Sequence, residues 1–151
     1  MADILHRIGV KASLDHVYRA LTTRDGLAGW WTTNTQGESK VGGEITFRFS
    51  TDGKDIGGFN MKVLELQPAR RVLWEVMDGP EEWIGTRVSF ELKQEDDWAI
   101  VLFKHLGWKV PVEFMHHCST KWATFLLSLK SLVETGSGAP DPKDVKVSNW
   151  H

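Results

Sequence analysis

A chain of 151 residues, 41% hydrophobic and 25% charged, is long enough for one domain around one sizeable core and short for two. A net charge of −2 gives no electrostatic reason to expect nucleic acid or an anionic membrane as a partner. No apolar run approaches the ~20 residues of a membrane span, the opening MADILHR lacks a secretory hydrophobic region, and one cysteine excludes an intramolecular disulfide, which together point to a reducing cytoplasm.

Ile4, His6, Ile8 and Val10 share one parity, so Asp3 to Val10 reads as a first strand. Ser13 is placed to cap the helix that follows, with Asp15 in its first turn, and Leu14, Val17, Tyr18 and Leu21 recur at helical spacing. A second short helix is expected over RDGLAGWW, ending near Trp30 and Trp31. The stretch TTNTQGESKVGG is polar and turn-rich, a loop by composition. From Gly43 the period becomes two: Ile45, Phe47 and Phe49 alternate, the turn TDGKDIGG follows, and Phe59, Met61 and Val63 continue the pattern. Leu64 and Leu66 switch parity, which predicts a bulge or burial on both faces. Beyond Pro68, Val72, Trp74 and Val76 mark one strand, the loop MDGPEEWIG follows, and Val88, Phe90 and Leu92 mark the next. After the acidic turn QEDD, Val101, Phe103 and His105 share one side of the last strand.

Gly107 and Pro111 separate this strand from the longest element, a helix over Val112 to Glu134. On a wheel, Phe114, Met115, Cys118, Trp122, Phe125, Leu126, Leu129, Leu132 and Val133 fall in an arc of roughly 120°. Gly136 sits where a left-handed C-cap is expected, and Pro140 and Pro142 forbid continuation. Leu127 alone among the large apolar residues stands on the polar side, where it is exposed or is covered by the tail or a second subunit. Strands joined by turn-length links are antiparallel, because a parallel crossover needs a dozen or more residues. A curved antiparallel sheet with a long helix across its concave face is an α+β architecture. Residues 1–137 read as one domain and residues 138–151 as a C-terminal tail.

Four pieces in this order resemble a known superfamily: IGVKASLDHVYRALTTRDGLAGWWT, VLELQPARRVLWEV, FKHLGW and CSTKWATFLLSLKSLVETG. They are similar to the SRPBCC superfamily of START-like and polyketide-cyclase-like domains, and within it to the family named for homology to the activator of the heat-shock chaperone ATPase. The resemblance implies a helix-grip fold, in which the sheet wraps the C-terminal helix and leaves an apolar cavity between them. It implies less about activity, since distant relatives bind lipids, steroids or hormones or act as cyclases.

Eight tryptophans and seven phenylalanines against one tyrosine fit a core built from large rings, and equally a cavity lined by some of them. The expected wall is Trp30 and Trp31 at the mouth; Phe47, Phe59, Met61, Trp74, Phe90 and Phe103 from inward strand parity, with His105 beside them; and Met115, Cys118 and Trp122 from the near half of the helix. His116, His117 and Cys118 are adjacent, but successive helical residues point about 100° apart, so they cannot converge on one ion. Metal and cofactor are not expected, and His116 and His117 read as solvated. Cys118 reads as a packed thiol. His105, with Glu75 as a second group, is the one candidate acid/base pair. Three functions follow: a domain that binds a hydrophobic or aromatic small molecule; a protein-interaction module with a chaperone or a second copy as partner; and a cyclase-, dehydratase- or hydrolase-type enzyme using His105.

Overall fold

In the computed structural model, which describes residues 1–151, the first alternating stretch forms β1 (Ala2–Val10). Two short helices follow, α1 (Leu14–Thr22) and α2 (Arg24–Trp30). Each is started by a hydroxyl: Ser13 Oγ accepts from His16 N at 3.1 Å and Thr23 Oγ1 from Gly26 N at 3.0 Å. Next come β2 (Asn34–Gly37), β3 (Glu44–Thr51), β4 (Lys54–Gln67), β5 (Arg71–Asp78), β6 (Arg87–Glu95), β7 (Trp98–Trp108) and the long α3 (Glu113–Thr135).

All seven strands form one antiparallel sheet in the order β1-β7-β6-β5-β4-β3-β2. From β2 onward each strand pairs with its successor, while β1 closes onto β7, so α1 and α2 carry the chain from one sheet edge to the other. Val10, Phe47, Val63, Trp74, Phe90 and Phe103 are buried on the inner face, against Val17, Leu21 and Leu27 of the short helices and Leu126 and Leu129 of α3. This is the helix-grip arrangement. Gly136, at φ 88°, caps α3 with its N–H on Leu132 O at 2.9 Å.

Two sequence expectations need correction in the sheet. The polar stretch after Trp31 contains β2, a four-residue edge strand in which only Thr35 points inward, opposite Phe47. Its pairing with β3 supplies what its composition lacks. The turn after β3 is also shorter than expected: Asp52 and Gly53, at φ 53° and 77°, make a two-residue hairpin turn, and β4 begins at Lys54. The parity switch at Leu64 is a bulge, since Val63 opposes Trp74 and Glu65 opposes Leu73.

The buried stripe of α3 is wider than the apolar arc. Cys118, Trp122, Phe125, Leu126, Leu129 and Val133 are buried, but so are His117, Lys121 and Ser128. Residues 138–151 cause this, because they run back along the helix. Ala139 N donates to Ser128 Oγ at 2.7 Å, Lys121 pairs with Asp144, and His117 Nε2 meets His151 Nε2 at 3.2 Å. The expectation of a solvated His117 is therefore wrong, whereas His116 is exposed. The tail passes away from Leu127, which stays 56% exposed.

Candidate functional site

A cavity of about 500 Å³ opens between the first half of α3, the β3–β4 hairpin, the β5–β6 connection and the returning tail. That volume lies within the ~300–1,000 Å³ of small-molecule sites. One wall is aromatic. Phe59 stacks on Trp83 with centroids 4.0 Å apart and planes 5° apart, and Trp31 stacks on Phe59 at 5.7 Å. Trp122 closes this wall, 5.9 Å from Trp83 and 5.0 Å from Trp31. Phe49, Phe114 and Phe125 extend it. Gly58 in this lining leaves no room for a side chain, since a Cβ there would lie 2.0 Å from Phe47 O.

Among the residues expected on the wall, Trp31, Phe59, Cys118 and Trp122 face the cavity. Trp30, Phe47, Met61, Trp74, Phe90 and Phe103 are buried behind it as solid core, and Met115 packs half-buried against that core. Trp30 does not guard a mouth; its Nε1–H donates to Ala20 O at 3.0 Å inside the α1–α2 corner. Parity identified the inward face correctly, but it does not say at which level along the sheet the helix lifts away.

His105 is also behind the wall, fully buried. Its Nδ1 accepts from Trp122 Nε1–H at 3.2 Å, which places the ring proton on Nε2, 2.8 Å from Thr86 Oγ1. The Thr86 hydroxyl donates in turn to Trp83 O at 2.5 Å. Burial pushes His105 down to about 3, so the imidazole is neutral and ties Trp122 to the Trp83 loop. Glu75 lies on the opposite face of β5 and pairs with Arg87 at 3.5 Å. The acid/base pair drawn from sequence does not converge.

Trp83 is the main aromatic residue that the sequence reading missed. It sits in a turn-rich connection without periodicity, and the only signal was a large apolar ring between Pro80 and Gly85. The polar wall was missed as well: Arg48 and Asp78 from the sheet, His117 and Lys121 from α3, and Asp141, Asp144 and His151 from the tail. Lys121 Nζ binds the Asp144 carboxylate and Val145 O (2.8 Å) and lies 5.0 Å from the Phe125 ring centroid. Burial, reinforced by the neighbouring His151 and Lys121 charges, pushes His117 down; burial and Lys121 do the same to His151. Asp141 is pushed up to about 6, first by burial and then by Asp144, against the pull of the Ser50 N–H. Cys118 is pushed up to about 12 by burial, which the nearby Trp83 indole N–H only partly offsets. No helix of the chain is long and apolar enough to cross a membrane.

Residues 11–134 match the family model described as Activator of Hsp90 ATPase homolog 1-like protein. Among solved structures, the solution structure of the Aha1 dimer from Colwellia psychrerythraea is 47% identical, with a TM-score of 0.82, covering 91% of this chain and 100% of that one. Protein SSP2350 from Staphylococcus saprophyticus is 16% identical at a TM-score of 0.74, covering 91% and 95%. CalU16 from Micromonospora echinospora is 19% identical at 0.71, covering 93% and 77%. The last two likenesses are of fold alone. No curated protein matches the chain.

Proposed function

We propose, for a chain that belongs to the Activator of Hsp90 ATPase homolog 1-like family, that it holds a small apolar or aromatic molecule in the cavity beside α3. The observation that carries this reading is the wall of near-parallel rings, Trp31, Phe59 and Trp83, around a space of about 500 Å³. Flat rings offer a planar ligand broad contact area at little cost in side-chain entropy. The enzyme reading built on His105 and Glu75 lacks its pair, and a formed cavity of about 500 Å³ weighs against a module that works by surface contact alone. A buried free thiol fits the cytoplasm as the site of action.

Native mass spectrometry of the purified protein, followed by denaturing extraction, tests the proposal. A retained molecule that is lost in Phe59→Ala supports it and reveals the chemical class. An empty protein that shows no mass shift against a broad library of lipids and aromatics refutes it.

The 47% identity to a protein described as a dimer favours one further statement, that this chain also self-associates. Light scattering coupled to size-exclusion chromatography should give twice the chain mass; a single-chain mass at all concentrations refutes the dimer and leaves the pocket untouched.

A further inference from the structure

The wall opposite the rings is acidic, and its cations are already engaged. Arg48 is held by Asp55 through Nε–Oδ2 at 3.1 Å and Nη2–Oδ1 at 2.6 Å. Lys121 is held by Asp144. His117 and His151 are pushed toward their neutral forms and bind each other. Two carboxylates on the wall make no direct ion pair, Asp78 and Asp141, although Arg48 stands near the first and Lys121 near the second. Asp78 turns one oxygen to Gly79 N at 2.9 Å.

Asp141 is the more telling of the two. It is only 5% exposed; its carboxylate accepts from Ser50 N at Oδ2 (3.0 Å) and lies against that of Asp144. Its backbone is fixed in place, because its own N–H donates to Trp31 O at 2.9 Å and its C=O accepts from Thr33 N at 3.1 Å. A buried carboxylate is costly, and Asp141 shares the one nearby cation, Lys121, with a second carboxylate, Asp144, that is already paired to it.

From this geometry we infer that the ligand carries a protonated amine, which donates to Asp141 while a flat apolar body lies on Trp31, Phe59 and Trp122. The inference rests on the ligand-binding reading above and adds the charge of the ligand to it. An ammonium group at this position is attracted by the carboxylate and by the faces of the neighbouring rings, an arrangement the pocket already shows with Lys121 over Phe125. It would also pull Asp141 back from its raised value. Asp141 and Asp144 lie beyond residue 134, where the family match ends, so the charge preference is a property of this chain's tail rather than of the shared frame.

Three probes with one aromatic body separate the possibilities: naphthylmethylammonium, naphthylmethanol and naphthoate, titrated calorimetrically into the wild-type chain near neutral pH. The ammonium should bind about tenfold or more tightly than the alcohol, as a charge-assisted hydrogen bond requires, and the naphthoate weakest. Asp141→Asn keeps an acceptor for Ser50 N–H, so the tail stays in place. This variant should erase the preference, with the affinity for the ammonium falling about tenfold or more, to the level of the alcohol. Equal binding of ammonium and alcohol, or a preference for naphthoate, overturns the amine and leaves the aromatic pocket standing. No binding by any of the three, with an empty native mass spectrum, overturns both.

Discussion

His105 couples stability to pH in a way that can be isolated. Its imidazole is held neutral, at about 3 against an ordinary 6.5, because burial disfavours the charged form. The unfolded chain therefore binds a proton between these values that the folded chain refuses. A depressed histidine makes its full contribution above 6.5, and that contribution is lost as pH falls toward about 3. The slope approaches about 1.4 kcal/mol per pH unit below 6.5, so about 2 kcal/mol should disappear between pH 6.5 and 4.5. Replacing His105 with glutamine removes the titration. The variant should be less stable near neutral pH by about 1–3 kcal/mol, because the tie between Trp122 and Thr86 is broken. Urea denaturation followed by circular dichroism, for both proteins from pH 7 to 4.5, measures the gap. The gap should close by about 2.5 kcal/mol and can reverse sign. Asp141 works in the opposite sense: its raised value favours the protonated fold, and that contribution is lost as pH rises through about 6. Being common to both proteins, it cancels in the difference, as do His117 and His151. Parallel pH curves would sink the reasoning.

The Cys118 thiol, raised to about 12 and buried, should react with a disulfide reagent at pH 8 about a hundredfold more slowly in the native chain than in urea; comparable rates would mean that the pocket opens freely. Gly58→Ala forces a Cβ to within 2.0 Å of Phe47 O, so calorimetry should show a loss of roughly 2 kcal/mol or more, a Tm lower by roughly 4–8 °C. An unchanged Tm would show that β3 and β4 separate there without cost. Lys121→Met leaves Asp144 without its cation and should loosen the tail, so tryptic cleavage after Lys143 and Lys146 should accelerate several-fold while the rest of the chain resists. Cleavage at the wild-type rate would mean that the His117 and Ser128 contacts hold the tail by themselves.

The frame was legible because its signals are periodic. Alternation at Ile45 and Phe47, at Trp74 and Val76, and at Phe90 and Leu92 marked the inner face, and the wheel of α3 marked the helix that covers it. The site was only partly legible. Trp31, Phe59, Cys118 and Trp122 reach the cavity, but Trp74 and Phe103 share their pattern and do not, since depth along a strand leaves no trace in parity. Lys121 and His117 sit at polar wheel positions and look solvated until Asp144, Ser148 and His151 are brought over them. Contacts of that kind depend on where an irregular segment returns, and no repeat in the chain encodes it.

The tail contributes carboxylates to the pocket without contributing a strand or helix to the frame. Asp141 can be changed to asparagine without losing the acceptor for Ser50 N–H, whereas Asp144 is bound to the stability of α3 through Lys121. On the proposed ligand-binding reading, this short segment is where a designer would begin in order to give the scaffold a new cargo.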